Sequence, residues 1–287
     1  MLEQNDNNDN DEEEEDISQL FTMLLSDSGD ENGDTKTKVG HSTPGQPKLD
    51  HHYITSINTT LLTRQLPSQG LSFQLWPAAT TLVTLLDDHR RNPNKSPLSP
   101  ALRSRSSDGP DLPPLTILEL GSGTGLLGIA AAVTLGANVT VTDLPHVIPN
   151  LQFNVDANAE ALAVNGGTVK VASLSWGEAG DVELIGREFD VIIGSDVVYH
   201  DHLYEPLLQT LYFLLGGRGK TTSFVMAHLR RWKKESSFFK KAKKVFDMEV
   251  LYEDTPCNGS RLGVVVYRFT GKEKWNLNVV SATNKAG

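Results

Sequence analysis

Gly121, Gly123, Gly125 and Gly128 punctuate the run Leu118-Glu119-Leu120-Gly121-Ser122-Gly123-Thr124-Gly125-Leu126-Leu127-Gly128. The apolar residues before it, Leu115 to Leu120, read as a buried strand; Leu126, Leu127, Ile129, Ala130 and Ala131 read as a buried helix. A strand that turns sharply into a helix leaves backbone N–H groups aimed at one spot, and glycine lets a ligand approach them. The spacing is G-x-G-x-G with a fourth glycine three residues on. A dinucleotide loop reads G-x-G-x-x-G, and a triphosphate loop continues into Lys-Ser/Thr. The pattern departs from both.

Four further features fall where a parallel sheet gathers ligand contacts. Asp143 ends the apolar run Val139-Thr140-Val141-Thr142, twenty-two residues after Gly121. A carboxylate there grips both hydroxyls of a ribose, or caps the helix that follows near Pro145. Trp176, in Ser173-Leu174-Ser175-Trp176-Gly177, either stacks on a nucleobase at a pocket rim or packs. Trp76 stands before Pro77 and is positioned to close over the same ligand. The run Phe189 to Gly194 delivers Ser195 and Asp196 at its carboxyl end, with Tyr199 shortly after. If the chain turns helical there, Asp196 and Tyr199 share a face and can hold an amine in line for attack. The other reading is a helix cap with Tyr199 packed.

The elements that must position these residues alternate. Strands are expected at 115–120, 138–142, 168–173, 189–194, 221–227, 247–253 and 261–269, with helices at about 125–135, 146–160, 202–215 and 232–246. Such alternation gives an α/β, Rossmann-like parallel sheet with ligands at the carboxyl ends of its strands. Only a short connection joins Val250-Leu251-Tyr252 to Val264-Val265-Val266-Tyr267, too short for a parallel crossover, so the last pair is expected to be antiparallel. Upstream, Tyr53–Ile57 and Leu71–Leu75 both alternate around Pro67-Ser68-Gln69-Gly70 and predict an N-terminal β-hairpin entering a helix from Pro77 to about His89. Residues 91–114 hold six of fourteen prolines and predict a flexible insertion.

The net charge of −10 is unevenly spread. Residues 1–35 hold thirteen Asp/Glu and no Lys or Arg, leaving 23 acids against 26 bases elsewhere. The expected organisation is a disordered acidic tail over 1–48, a folded domain over 49–272 and a C-terminal tail over 273–287, with Ile17–Leu25 the tail's one apolar patch. The single cysteine, Cys257, rules out an internal disulfide. No apolar run approaches membrane-spanning length and the N-terminus is acidic, so neither a membrane nor a signal peptide is expected. The folded part carries little net positive charge, which speaks against nucleic acid. Its basic run, Arg230, Arg231, Lys233, Lys234, Lys240, Lys241, Lys243 and Lys244, reads as a solvated helix face. No metal site is expected; the histidine pairs at 51/52 and 200/202 lack partners at ligand spacing.

Residues from about 71 to 267 resemble class I (seven-β-strand) S-adenosylmethionine-dependent methyltransferases, and more narrowly methyltransferase family 16, the protein-lysine methyltransferases. The likeness is carried by Leu75-Trp76-Pro77-Ala78-Ala79, the glycine run from Leu118 to Gly128, Val141-Thr142-Asp143, Ser173 to Gly177, and Asp196-Val197-Val198-Tyr199, which matches the family's D-x-x-Y signature. The resemblance implies the cofactor S-adenosyl-L-methionine, contacted by Trp76, Glu119, Gly121, Ser122, Gly123, Asp143, Trp176 and Ser195. Ser195 stands where relatives commonly carry alanine. Asp196 and Tyr199 would line the channel for the methyl acceptor. The implied acceptor is a lysine of a non-histone protein, with chaperones, AAA-type ATPases and elongation factors as candidate classes. Histidine or arginine methylation and a catalytically silent cofactor-binding scaffold are the alternatives. A cytoplasmic, also nuclear, monomer is expected.

Overall fold

The computed structural model describes residues 46–102, 113–216, 222–231, 233–254 and 263–272. Residues 1–45 of the expected acidic tail, the Ile17–Leu25 patch, Cys257 and the C-terminal tail lie outside these residues, and Lys48, the last residue assigned to that tail, opens the first strand.

Nine strands and eight helices make up the described chain. β1 (Lys48–Ile54) and β2 (Thr59–Gln65) form the N-terminal hairpin. They are followed by α1 (Pro77–Arg91), a short α2 (Ser99–Leu102), β3 (Thr116–Leu120), α3 (Leu126–Leu135), β4 (Asn138–Asp143), α4 (Ile148–Ala157) and α5 (Ala159–Asn165). Then come β5 (Thr168–Ser173), α6 (Ala179–Ile185), β6 (Val191–Ser195), α7 (Tyr204–Leu215), β7 (Ser223–Leu229), α8 (Ser236–Val245), β8 (Phe246–Glu253) and β9 (Val264–Gly271). The seven-stranded sheet has the order β5-β4-β3-β6-β7-β9-β8, all parallel except β9, which runs antiparallel to both neighbours. The expected antiparallel pair is therefore present, with the last strand slotted inside its predecessor.

The central strands are buried on both faces, which is why they read as continuous apolar runs. Alternate side chains divide between two cores. Ile117, Val191, Ile193, Val225 and Ala227 pack with α1 and α3, whereas Leu118, Leu120, Ile192, Phe224 and Met226 pack with α7 and Phe238 of α8. The outer strands β5 and β8 alternate with exposed positions.

The hairpin departs from expectation. Its second strand is Thr59–Gln65, and its tip is a 3-10 turn at Thr55–Ile57 closed by Asn58 in the left-handed region. Residues 67–69 and 71–73 form two 3-10 turns instead of a turn and a strand. The inward face of β2 is Leu61, Thr63 and Gln65, so its polar residues hid the alternation that Leu71–Leu75 mimicked.

Three asparagines spaced by four hold the open edge of β2. Asn158 accepts from Leu62 N–H at 2.9 Å and donates to Leu62 C=O at 2.7 Å. Asn154 accepts from Arg64 N–H at 2.7 Å and donates to Arg64 C=O at 3.1 Å and Thr124 C=O at 2.8 Å. Asn150 adds bonds to the Arg64 guanidinium (2.8 Å) and carbonyl (3.2 Å). Side-chain amides thus supply the donors and acceptors a neighbouring strand would provide. Asn158 leaves helical geometry to do so, splitting the single helix expected at 146–160 into α4 and α5. At the hairpin tip, the Asp87 carboxylate accepts from Thr55 and Ser56 N–H at 3.1 and 2.8 Å.

Two further differences concern connections. Helix α6 was not foreseen, since only Val182 of its seven residues is buried and no periodic signal results. The described part of the 91–114 insertion is packed: Leu98, Ala101 and Leu102 bury against the α1 side of the sheet. Residues 103–112 lie outside the described residues. Among the described residues no helix is long and apolar enough to cross a membrane.

Candidate functional site

Where β3 meets α3, Gly121 and Gly123 adopt φ of +61° and +54°. Two strand-like bonds anchor the bend to β4: Ser122 N–H donates to Thr142 C=O (2.9 Å), and Thr142 N–H donates to Ser122 Oγ (3.0 Å). A side chain at Gly123 would place its Cβ 3.0 Å from Ser72 C=O, and one at Gly121 would lie 2.9 Å from the Trp176 ring. Glycine is required at both for backbone conformation and for close approach.

Asp143 ends β4 facing this bend. Its Oδ2 accepts from Gly123 N–H and its Oδ1 from Leu144 N–H, each at 2.8 Å. Burial pushes its pKa up, opposed by those two N–H groups and by His146. A poorly hydrated carboxylate tied at one edge of each oxygen keeps acceptor capacity for a diol. The predicted helix-cap role is absent, because α4 begins five residues later with no side-chain cap.

Trp176 follows β5 and is held from both sides. Ser175 N–H donates to Asp181 at 2.9 Å, and Gly177 N–H donates to the Thr210 hydroxyl at 2.8 Å. Trp76 precedes α1, and its Nε1–H donates to Leu71 C=O at 3.0 Å. The 3-10 turn that replaces the expected strand therefore sets this ring's orientation.

At the end of β6, Ser195 pairs with Ala227 of β7, and Asp196 N–H continues the ladder to Ala227 C=O at 3.0 Å. Asp196 then turns into the left-handed region at φ +52°. Such a conformation in a non-glycine residue costs about 1–2 kcal/mol and concentrates at functional sites. Residues 196–199 are not helical, so Asp196 and Tyr199 do not share a helix face as the sequence suggested. They converge through the loop instead.

All these parts meet in one cavity of about 220 Å³ at the carboxyl rim of the sheet. Of the residues predicted from sequence, Trp76, Gly121, Ser122, Gly123, Asp143, Trp176, Ser195, Asp196 and Tyr199 line it. Glu119 does not. It points behind the glycine bend, buried, with Oε2 accepting from Gly128 N–H at 3.0 Å. Burial pushes its pKa up to about 8, against the opposing bonds from Ser122 and Gly128, with Asp143 adding to the rise. Glu119 supports the loop from within the protein.

Sequence reasoning missed Arg231. In sequence it reads as part of a basic surface run, yet its side chain is buried, lines the cavity and pairs with Asp196 at 3.0 Å. Only its position just past a strand's carboxyl end signalled a different role. Gln74 and Ser72 also line the cavity, brought there by the turns between β2 and α1.

A family model described as "Lysine methyltransferase" matches residues 56–245. The chain is 34% identical over 178 residues to the protein-lysine methyltransferase METTL21E of Mus musculus, covering 61% of this chain and 63% of that one. It is 37% identical over 123 residues to EEF1A lysine methyltransferase 3 of Xenopus tropicalis, covering 43% and 51%. With the Danio rerio protein N-lysine methyltransferase METTL21A it shares 35% over 158 residues, covering 55% and 67%. The matches span about half to two thirds of these relatives' own lengths. Because the family model runs from the hairpin tip through the glycine bend and the loop after β6 to the end of α8, this chain belongs to methyltransferase family 16, the seven-strand S-adenosylmethionine-dependent lysine methyltransferases.

Proposed function

We propose that this protein transfers a methyl group from S-adenosylmethionine to the side-chain amine of a lysine in a protein. The observation that carries the reading is a single cavity whose lining runs from the glycine bend and Asp143 to Asp196 and Tyr199. Its nucleoside part fits the cofactor, since the glycine bend and the Asp143 carboxylate, held by Gly123 and Leu144 N–H, line the same end of the cavity. Asp143 would hold the ribose hydroxyls, with Gly121, Ser122 and Gly123 allowing backbone approach and Trp76 and Trp176 closing the rim.

When bound, S-adenosylmethionine supplies an activated methyl group on a sulfonium. The chain's own work is to position and dehydrate. Leu71, Leu75, Leu174, Val197 and Leu203 supply apolar lining that excludes water. A lysine ammonium, with a pKa of about 10.4 in water, has no lone pair. Desolvation among apolar walls lowers that pKa, and the proton leaves to bulk water before the amine is seated. The Tyr199 ring, at the same end, helps to orient the amine. No strong general base is required.

The relatives' names offer a first substrate class, an EEF1A-type elongation factor; chaperones and AAA-type ATPases remain further candidates from the family resemblance. An elongation-factor substrate implies the cytoplasm as the compartment. The test incubates the full chain and its Asp143→Asn variant with methyl-tritiated S-adenosylmethionine and purified elongation factor 1A, then with whole-cell lysate. Tandem mass spectrometry then locates the methyl group. Label on lysine, lost in the variant, is the expected result. Label on histidine or arginine overturns the acceptor assignment, and absence of label from both sources overturns the enzymatic reading.

A further inference from the structure

The acceptor end of the cavity holds a charge pair the motif does not announce. Arg231 Nη2 lies 3.0 Å from Asp196 Oδ2, and Nη1 lies 3.3 Å from Oδ1, which also accepts from Leu229 N–H at 2.9 Å. The two side chains are 2% and 4% exposed. The guanidinium carbon sits 5.3 Å from the Trp76 ring centroid, so the pair faces the ligand space and not solvent. Behind it, Glu235 accepts from Arg231 N–H at 3.2 Å and bonds the buried His228 ring at 3.1 Å. His228 Nδ1 lies 3.9 Å from Asp196. Tyr199 and His200, with rings 4.7 Å apart, approach from the loop after β6. On the far side of Phe239, which packs on both His228 and Tyr267, the β9 phenol closes the cluster. The Arg230–Glu253 pair lies outside it, exposed.

A bare carboxylate beside the acceptor would stabilise an ammonium and retain the proton that has to leave. In this chain a fixed guanidinium cancels that charge. We propose that Arg231 is a specificity-determining residue: by neutralising Asp196 at the wall of the cavity, it makes the acceptor end select an uncharged amine over an ammonium or a guanidinium. The inference rests on the function proposed above and refines it. A lysine amine can shed its proton to water and meet that requirement. An arginine acceptor, protonated at all working pH values, would set two permanent cations against one carboxylate. The cavity therefore favours lysine over arginine through charge.

The test compares two cofactor analogues by isothermal titration on the full chain. S-adenosylhomocysteine is uncharged at its sulfur, whereas sinefungin carries an amine where the cofactor carries its methyl group. The quantity read is the ratio of sinefungin to S-adenosylhomocysteine affinity. In the wild type this ratio is expected to rise between pH 6 and pH 9, as the amine loses its proton. At pH 7 Arg231→Gln, which leaves the carboxylate unopposed, should raise the ratio about tenfold, and Asp196→Asn, which leaves the guanidinium unopposed, should lower it about tenfold. Ratios within twofold of wild type in both variants, with S-adenosylhomocysteine still bound, overturn the proposal and leave the cofactor site intact. If Arg231→Gln fails to fold, the Asp196→Asn arm decides alone: a fall supports the proposal and an unchanged ratio overturns it. Failure of the wild type to bind S-adenosylhomocysteine overturns the methyltransferase reading itself.

Discussion

Asn154→Ala is the most informative test of how the hairpin is joined to the glycine bend. The Asn154 side chain is fully buried and makes three bonds: from Arg64 N–H (2.7 Å), to Arg64 C=O (3.1 Å) and to Thr124 C=O (2.8 Å). Alanine removes all three partners at once. Arg64 C=O keeps its bond from Asn150, so two groups are orphaned, the Arg64 N–H and the Thr124 C=O. Each buried group left unsatisfied costs about 1–3 kcal/mol, giving an expected loss of about 2–6 kcal/mol for the two. Urea unfolding of the wild type and variant measures this, provided the slope m is unchanged. Gln152→Ala is the control on the same helix, where the amide makes only an exposed bond to Asp156; it should change stability by less than about 0.5 kcal/mol. Because Thr124 belongs to the glycine bend, Asn154→Ala should also weaken S-adenosylhomocysteine binding. A stability loss no larger than that of Gln152→Ala would refute the claim that side-chain amides serve as the missing strand.

Other perturbations probe the loop and its acids. Glu119 keeps its proton in the folded state up to about pH 8, whereas the unfolded chain releases it near the ordinary value of 4.5. Stability contributed by this group therefore falls as pH rises between those values, at up to about 1.4 kcal/mol per pH unit. Glu119→Gln should match the wild type near pH 5 and exceed it by about 3 kcal/mol at pH 8; parallel pH–stability curves would contradict this. Gly123→Ala forces a side chain into positive φ and against Ser72 C=O, so cofactor affinity should fall more than about tenfold. Binding within twofold of wild type by calorimetry would count against the close-approach argument. Asp143→Asn should weaken S-adenosylmethionine binding by about 1.5–3 kcal/mol, the range for hydrogen bonds to a charged group, and an unchanged Kd would remove this residue from the ribose contact.

Much of the site was legible because backbone geometry demands particular residues. Only glycine suits the bend at 121 and 123, and an acid at the end of the next strand falls beside it whatever the loops do. The β/α alternation located every strand of the main sheet, most plainly the central ones, which are buried on both faces. What escaped notice depended on distant partners. Thr63 and Gln65 are polar yet face inward, bonded by His52 and by Asp50 and Leu75, so β2 lost its apolar signature. The ladder of Asn150, Asn154 and Asn158 looks like a polar helix face until β2 docks on it. Arg231 sits among surface cations in sequence, and the carboxylate that draws it inward is 35 residues away. Glu119 shows the converse: the motif placed it among the ligand contacts, but strand alternation turns it toward Gly128.

Under the proposed function, the glycine bend and Asp143 hold a nucleoside whose reactive end points to the Asp196 and Tyr199 wall. A crystal structure of the protein grown with S-adenosylhomocysteine tests this most directly. The predicted result is both ribose hydroxyls on the Asp143 carboxylate, main chain at Gly121–Gly123 against the ligand, and the thioether sulfur facing the Tyr199 side. Density for the ligand elsewhere, or a nucleoside bound with Asp143 turned away from its sugar, would contradict it.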